Sequence, residues 1–284
     1  MLSVREAKIR KVVLLGATGR LGQMLRIYWP RPELLSVGRS SAPGVHPCDI
    51  LKNPAALREL MGSHAGPVVC LAGVTPMSAS AGADMADNTS LALATLQAAH
   101  DTGAGRVFLA SSAAVYGRQS GLLTEETPLM PLSDYAEAKV EMEVRARALA
   151  AQLNHPMTVL RIGNVAGADA ILGGWHDQMR LDVFPDGRTP RRSYVGPSDL
   201  ALMIAGLATT VSLPPVLNIA AKGAVAMGAL LDTANLPWHS RPAPETAIPE
   251  VELSTKQLSD YVDVPEASAE GLVAAWRDYE AKIA

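Results

Sequence analysis

Val12-Val13-Leu14-Leu15-Gly16-Ala17-Thr18-Gly19-Arg20-Leu21-Gly22 is the stretch on which the reading of this chain turns. Four aliphatic residues are too few for a helix and stop at glycine, so they read as a buried strand of a parallel sheet. Leu21, Leu25 and Tyr28 then recur at helical spacing until Pro30 and Pro32 end the pattern. Between strand and helix, Gly16, Gly19 and Gly22 let the backbone turn tightly and approach a pyrophosphate, whose charge a helix N-terminus favours. As a string, G-x-x-G-x-x-G is weak; its place between strand and helix makes it a dinucleotide-binding expectation that includes Thr18, Arg20 and Leu21.

The alternation continues outward. Strands are expected at 34–37, 68–71, 106–110 and 157–162, with helices over 84–102 and 133–152. This order predicts an α/β fold, a Rossmann-type doubly wound parallel sheet. After Gly163 the periodicity fades over 163–193, returns in a helix at 198–208 and a strand at 216–219, and fades again in a Pro-rich tail ending in a helix at 267–282. The expected organisation is a dinucleotide-binding core of 1–164 and 194–221. A small C-terminal substrate lobe of 165–193 and 222–284 would lie over the C-terminal strand ends.

An acid at the end of the second strand would bind a ribose 2′-hydroxyl, whereas an arginine would meet a 2′-phosphate. Gly38-Arg39-Ser40-Ser41 has no acid there. Arg39 offers a charge-assisted fork, so NADP is favoured over NAD.

Tyr135 is the only one of six tyrosines with a lysine four residues on, and residues i and i+4 share a helix face. A free phenol with a pKa near 10 is a poor base at neutral pH, and the Lys139 ammonium is expected to lower that value. Ser111-Ser112, at the end of an apolar run 23 residues before Tyr135, supplies a hydroxyl to orient a substrate oxygen. The catalytic candidates are Ser112, Tyr135 and Lys139, moving a proton beside a dinucleotide that moves a hydride.

These motifs, with Asp49-Ile50, Leu71-Ala72-Gly73, Asn88, Ser111 to Gly117 and Arg161-Ile162-Gly163-Asn164, resemble the extended short-chain dehydrogenase/reductases of the NAD(P)-dependent epimerase/dehydratase family. The resemblance runs from about Lys11 to Ala220. It implies that Ser112, Tyr135 and Lys139 are catalytic, with Tyr135 and Lys139 also touching the cofactor. Asp49 and Ile50 would flank the adenine, and Leu71, Ala72 and Gly73 the middle of the cofactor, with Asn88 and Ile162 also at the cofactor. Tyr116, Asn164 and Arg192 would join Ser112 at the substrate, which in such relatives includes nucleotide sugars. It also implies a homodimer formed through the two long helices. Ala113 and Ala114 stand where dehydratases of the family carry carboxylates, which disfavours a 4,6-dehydratase. The expected activity is that of an oxidoreductase or epimerase on a secondary alcohol or carbonyl. A non-catalytic NADP(H) sensor is the alternative; it would need the glycine turn but not Ser112, Tyr135 and Lys139.

Composition narrows the remaining classes. The 284 residues carry a net charge of −3, with no basic footprint for nucleic acid. No apolar run is long enough to span a bilayer and no signal-peptide pattern opens the chain, so a cytoplasmic protein is expected. The six histidines lack ligand spacing and no metal site is expected. Cys70 reads as a core residue. Arg191-Arg192 reads either as a phosphate-binding pair or as solvated surface. Trp175 and His176 would line the pocket or pack the lobe, with Trp238 and Trp276 in the lobe core.

Overall fold

The computed structural model describes residues 11–30, 34–62 and 66–284. The expectations for the charged N-terminus and for Pro32 lie outside the described residues. The first half comprises β1 (Val12–Leu15), α1 (Arg20–Tyr28), β2 (Leu34–Gly38), β3 (His46–Pro47), α2 (Pro54–Gly62), β4 (Val68–Cys70), α3 (Pro76–Ser80), α4 (Asp87–Thr102), β5 (Val107–Ser112), β6 (Gly121–Leu123), α5 (Asp134–Leu153) and β7 (Met157–Ile162). The second comprises β8 (Asn164–Val165), β9 (Arg180–Val183), β10 (Arg191–Arg192), β11 (Tyr194–Val195), α6 (Pro197–Ala208), β12 (Val216–Ile219), β13 (Val225–Ala226), α7 (Met227–Ala234), β14 (His239–Pro242), β15 (Glu250–Leu253) and α8 (Ala269–Ile283).

Seven strands form one parallel sheet in the order β12-β7-β5-β4-β1-β2-β3. Strand side chains alternate between faces, and both faces are buried here. Val13, Leu15, Val68, Cys70, Val107 and Leu109 pack with residues of α2, α4 and α5. Leu14, Val69, Phe108 and Leu160 pack on the other side with Met24 and Leu25 of α1 and Leu200 and Ile204 of α6. That explains why the strands read as continuous apolar runs. Strand order reverses between β1 and β4, the place where such sheets leave a crevice at their C-terminal ends.

α4 begins at Asp87 rather than at 84, because the Asp84 carboxylate accepts the Ala86 N–H in a preceding turn. α5 is set by its caps: Ser133 Oγ accepts the Ala136 N–H at 3.3 Å, and Asn154 ends the helix in the left-handed region.

The lobe has more order than its sequence suggests. β13, β10, β15 and β6 form a four-stranded sheet, so residues 121–123, placed with the core by sequence, pair with a strand from the C-terminal tail. α8 bridges both parts. Leu272 and Val273 join the lobe core, while Tyr279 packs in the main core and Tyr28 donates to Asp278 at 2.6 Å. Trp175 packs here too, its indole N–H donating to Pro237 O at 3.0 Å. Among the described residues no helix is long and apolar enough to cross a membrane.

Candidate active site

Gly16 leaves β1 at φ +82°, a conformation L side chains rarely adopt. A Cβ there would lie 2.6 Å from Ala72 N, so the loop after β4 closes against it only because the residue is glycine. Gly19 N-caps α1 without a side-chain bond, and the first turn of that helix carries no acid. Its leading N–H groups therefore have no acidic side chain in their own turn, and they follow directly on Gly16, Thr18 and Gly19, which line a cleft.

A cleft of about 460 Å³ runs from this turn past Arg39 and Asp49–Lys52 to Leu71–Val74. Arg39 is exposed at its rim, and among the described residues no carboxylate pairs with it. Asp49 Oδ1 accepts the N–H groups of Leu51 and Lys52, both at 3.1 Å, which shapes the turn beneath the cleft, while Ile50 is buried. Cys48 and Lys52 also line the cleft, and no sequence signal marked them.

Past Gly73, around the C-terminal end of β5, the three catalytic candidates come together. Tyr135 lies beside Ser112, close enough for the serine hydroxyl to bear on the phenol, and Ser112 Oγ accepts the Ala114 N–H at 3.2 Å. Lys139 Nζ lies 5.8 Å from the centre of the Tyr135 ring and donates to Ala110 O at 2.9 Å. That carbonyl is its one hydrogen-bond partner among the described residues. Lys139 is only 6% exposed, so its ammonium is desolvated with two N–H groups unused by the protein. Gly73 leaves room beside it: a Cβ there would stand 3.3 Å from Lys139 Nζ and 2.7 Å from Asn88 Oδ1.

Burial sets the protonation here. It pulls Lys139 down from 10.5 to about 8, opposed in smaller part by Cys70 and Glu143. It pushes the Tyr135 phenol up, opposed in smaller part by the neighbouring Ser112 hydroxyl. The expectation of a phenol lowered by its lysine is thus reversed in the free protein. Lys139 turns its ammonium toward Ala110 O, and desolvation of the phenol dominates.

A second pocket, about 240 Å³, opens beyond Ser112 between the sheet and the lobe. Asn164 and Arg192 line it beside an apolar wall of Ile248, Val251 and Leu253, and none of its described lining residues is a carboxylate. Arg191 is taken up by Glu250 at 3.0 Å and by Ala224 O. Among the described residues Arg192 donates only to Arg191 O, and it lines the pocket.

Several sequence assignments change. Tyr116 is fully buried, its hydroxyl held by Asn218 and Arg161, and so lies in the core rather than at a substrate. The Arg20 side chain lines a separate groove with Trp276 and Tyr279 of α8, and the Leu21 side chain packs against the core, which leaves these two residues only their backbone N–H groups to offer a dinucleotide. Ile162 lines the second pocket instead of the first. Asn88 lines neither: its amide is committed to Val74 N, Val74 O and Met85 O, so it fixes the loop that borders the cleft.

Comparison with known proteins gives the same picture. Residues 12–220 match the profile of the NAD dependent epimerase/dehydratase family. No curated protein sequence matches significantly. Among solved structures, the UDP-glucuronic acid 4-epimerase from Bacillus cereus, in complex with UDP-glucuronic acid and NAD, superposes with a TM-score of 0.76 at 19% identity, covering 96% of this chain and 100% of that one. The UDP-Glc/GlcNAc 4-epimerase from Campylobacter jejuni gives 0.78 at 15% identity, over 96% and 99% of the two chains. The dTDP-glucose 4,6-dehydratase DesIV from Streptomyces venezuelae, with NAD and TYD bound, gives 0.72 at 21% identity, over 96% and 98%. At these identities the likeness is one of fold.

Proposed function

We propose, for a chain that belongs to the NAD dependent epimerase/dehydratase family, that it is an oxidoreductase or epimerase moving a hydride between a nicotinamide and a secondary alcohol or carbonyl carbon. The observation that carries this reading is Lys139: a buried ammonium with two open donors, bordering the glycine-lined cleft at Gly73, with Tyr135 and Ser112 near it. A buried charge is costly unless something completes its hydrogen bonds, and the ribose hydroxyls of a dinucleotide would do so. The bare α1 N-terminus and the close-packed Gly16 turn suit a pyrophosphate.

The bound nicotinamide supplies or accepts the hydride. Everything else falls to the chain. In the reducing direction Ser112 holds the carbonyl oxygen and Tyr135 gives it a proton as the carbon gains the hydride. In the oxidising direction Tyr135 must first be a phenolate, which takes the hydroxyl proton. Running both directions on one substrate would invert a carbinol centre and leave the cofactor unchanged. The pocket without carboxylates beyond Ser112 favours this chemistry over dehydration, which needs a further acid and base.

Arg39, exposed and free of carboxylate partners, favours NADP over NAD. Arg192 and Asn164 favour a substrate with an anionic group, and the relatives solved with UDP-glucuronic acid support a nucleotide sugar. The test is NADPH and NADH oxidation against aldehydes, ketones and nucleotide sugars. Tyr135→Phe should cut turnover by about 10²- to 10⁴-fold while leaving cofactor binding intact. Turnover undiminished in Tyr135→Phe, or cofactor binding with no turnover on any of these compounds, would overturn the reading.

A further inference from the structure

Tyr135, Lys139 and Glu143 form one stripe along α5, each a turn beyond the last. Lys139 borders the cleft at Gly73 and Tyr135 lies beside Ser112; Glu143, 2% exposed, enters the core. Its Oε1 accepts Ser111 Oγ at 2.5 Å. Arg161 forks the same carboxylate, with Nε 3.2 Å from each oxygen and Nη2 2.8 Å from Oε2. Ser111 of β5 and Arg161 of β7 are register partners, and Asn218 of β12 is the next in that row. Arg161 Nη1 also donates to Tyr116 OH at 3.1 Å, whose own proton goes to Asn218 Oδ1 at 2.7 Å. Two residues of that row thus converge on a single carboxylate of α5, and the third is tied in through Tyr116.

Stability alone accounts poorly for this cluster, because replacing a buried ion pair with apolar residues is often neutral or better. A bidentate fork supplies registry, admitting one height and one rotation of the helix over the sheet. Ser111 adjoins Ser112, and Lys139 stands one turn from Glu143. We infer that Glu143, held by Ser111 and Arg161, is the positioning residue that fixes Tyr135 and Lys139 opposite Ser112. Its consequence for turnover rests on the proposed hydride chemistry; its geometry does not.

The groups facing Lys139 are Cys70 of β4 and, from its own helix, Tyr135 and Glu143. Glu143 faces Arg161 and Ser111, while the nearby Glu125 carboxylate is taken by Asn218 N at 2.9 Å. Three variants of the full chain test the inference: Ser111→Ala, Glu143→Gln, and Glu143→Met combined with Arg161→Met. Turnover should fall roughly 10- to 100-fold in each, with KM and cofactor affinity within about threefold. NMR titration of labelled lysine in the cofactor-free protein should place Lys139 lower in Glu143→Gln than in the parent. If Glu143→Gln does not fold, Ser111→Ala and the apolar pair decide. A folded apolar pair with parental turnover would make the cluster structural only and overturn the inference. If the parent reduces none of the compounds tried, the proposed function fails on its own. The Lys139 titration still decides here, and an unshifted value refutes positioning through Glu143.

Discussion

Replacing Lys139 with methionine should stabilise the cofactor-free protein while destroying its activity. Lys139 falls from 10.5 to about 8 in the folded state, so its charged form is disfavoured there by about 3 kcal/mol. Methionine has similar length, carries no charge and fills the same space. It forfeits the bond to Ala110 O, a loss of about 1 kcal/mol. The net gain at pH 7 is about 2 kcal/mol, a rise in melting temperature of about 5 °C. The sign reverses the usual lysine case. Below about pH 8 both folded and unfolded parent hold the proton, and the penalty is complete. Between about 8 and 10.5 the unfolded chain binds more protons, so parental stability rises with pH by about 1.4 kcal/mol per unit. Denaturant unfolding of parent and variant at pH 7 and 9.5 should therefore show the gap shrinking by about 2 kcal/mol. A destabilised variant at pH 7, or a gap that ignores pH, would refute the claim that Lys139 is held charged against its surroundings.

Other outcomes follow from single residues. Tyr135→Phe should cost 10²- to 10⁴-fold in turnover, with cofactor affinity by fluorescence titration unchanged. Since burial raises the phenol, initial rates in the oxidising direction should climb with pH through neutrality, and reduction should hold until the phenol ionises. Arg39→Glu should weaken NADPH about 10- to 100-fold and leave NADH within a few-fold, measured as the two dissociation constants. Gly16→Ala should lower stability by about 1–3 kcal/mol and abolish dinucleotide binding, since its Cβ meets Ala72 N in a positive-φ turn.

Much of this was legible because it is local. Val12–Leu15, Val68–Cys70 and Met157–Ile162 announce themselves as apolar runs, since both sheet faces are buried and no alternation is needed. Tyr135 and Lys139 are visible because four residues is one helical turn. The same stripe reaches Glu143, which periodicity could have marked had its carboxylate been weighed with Arg161. The lobe was not legible, because β8, β10, β11 and β13 are two residues long and owe their existence to partners far away in sequence. Nor could spacing give a side chain's direction: Tyr116 follows β5 as a pocket residue would, yet Asn218 and Arg161 draw it into the core. The sign of the phenol's shift was out of reach for a similar reason, since it depends on how far burial outweighs a neighbouring charge.

The central claim is that Tyr135 moves the proton for a hydride transfer beside Lys139. NADPH deuterated at the transferring position, incubated with the protein and a panel of ketones and nucleotide sugars, tests it most directly by mass spectrometry of the products. Deuterium on the carbinol carbon with the parent, and none above background with Tyr135→Phe, is the predicted result. Equal labelling by both proteins would contradict it.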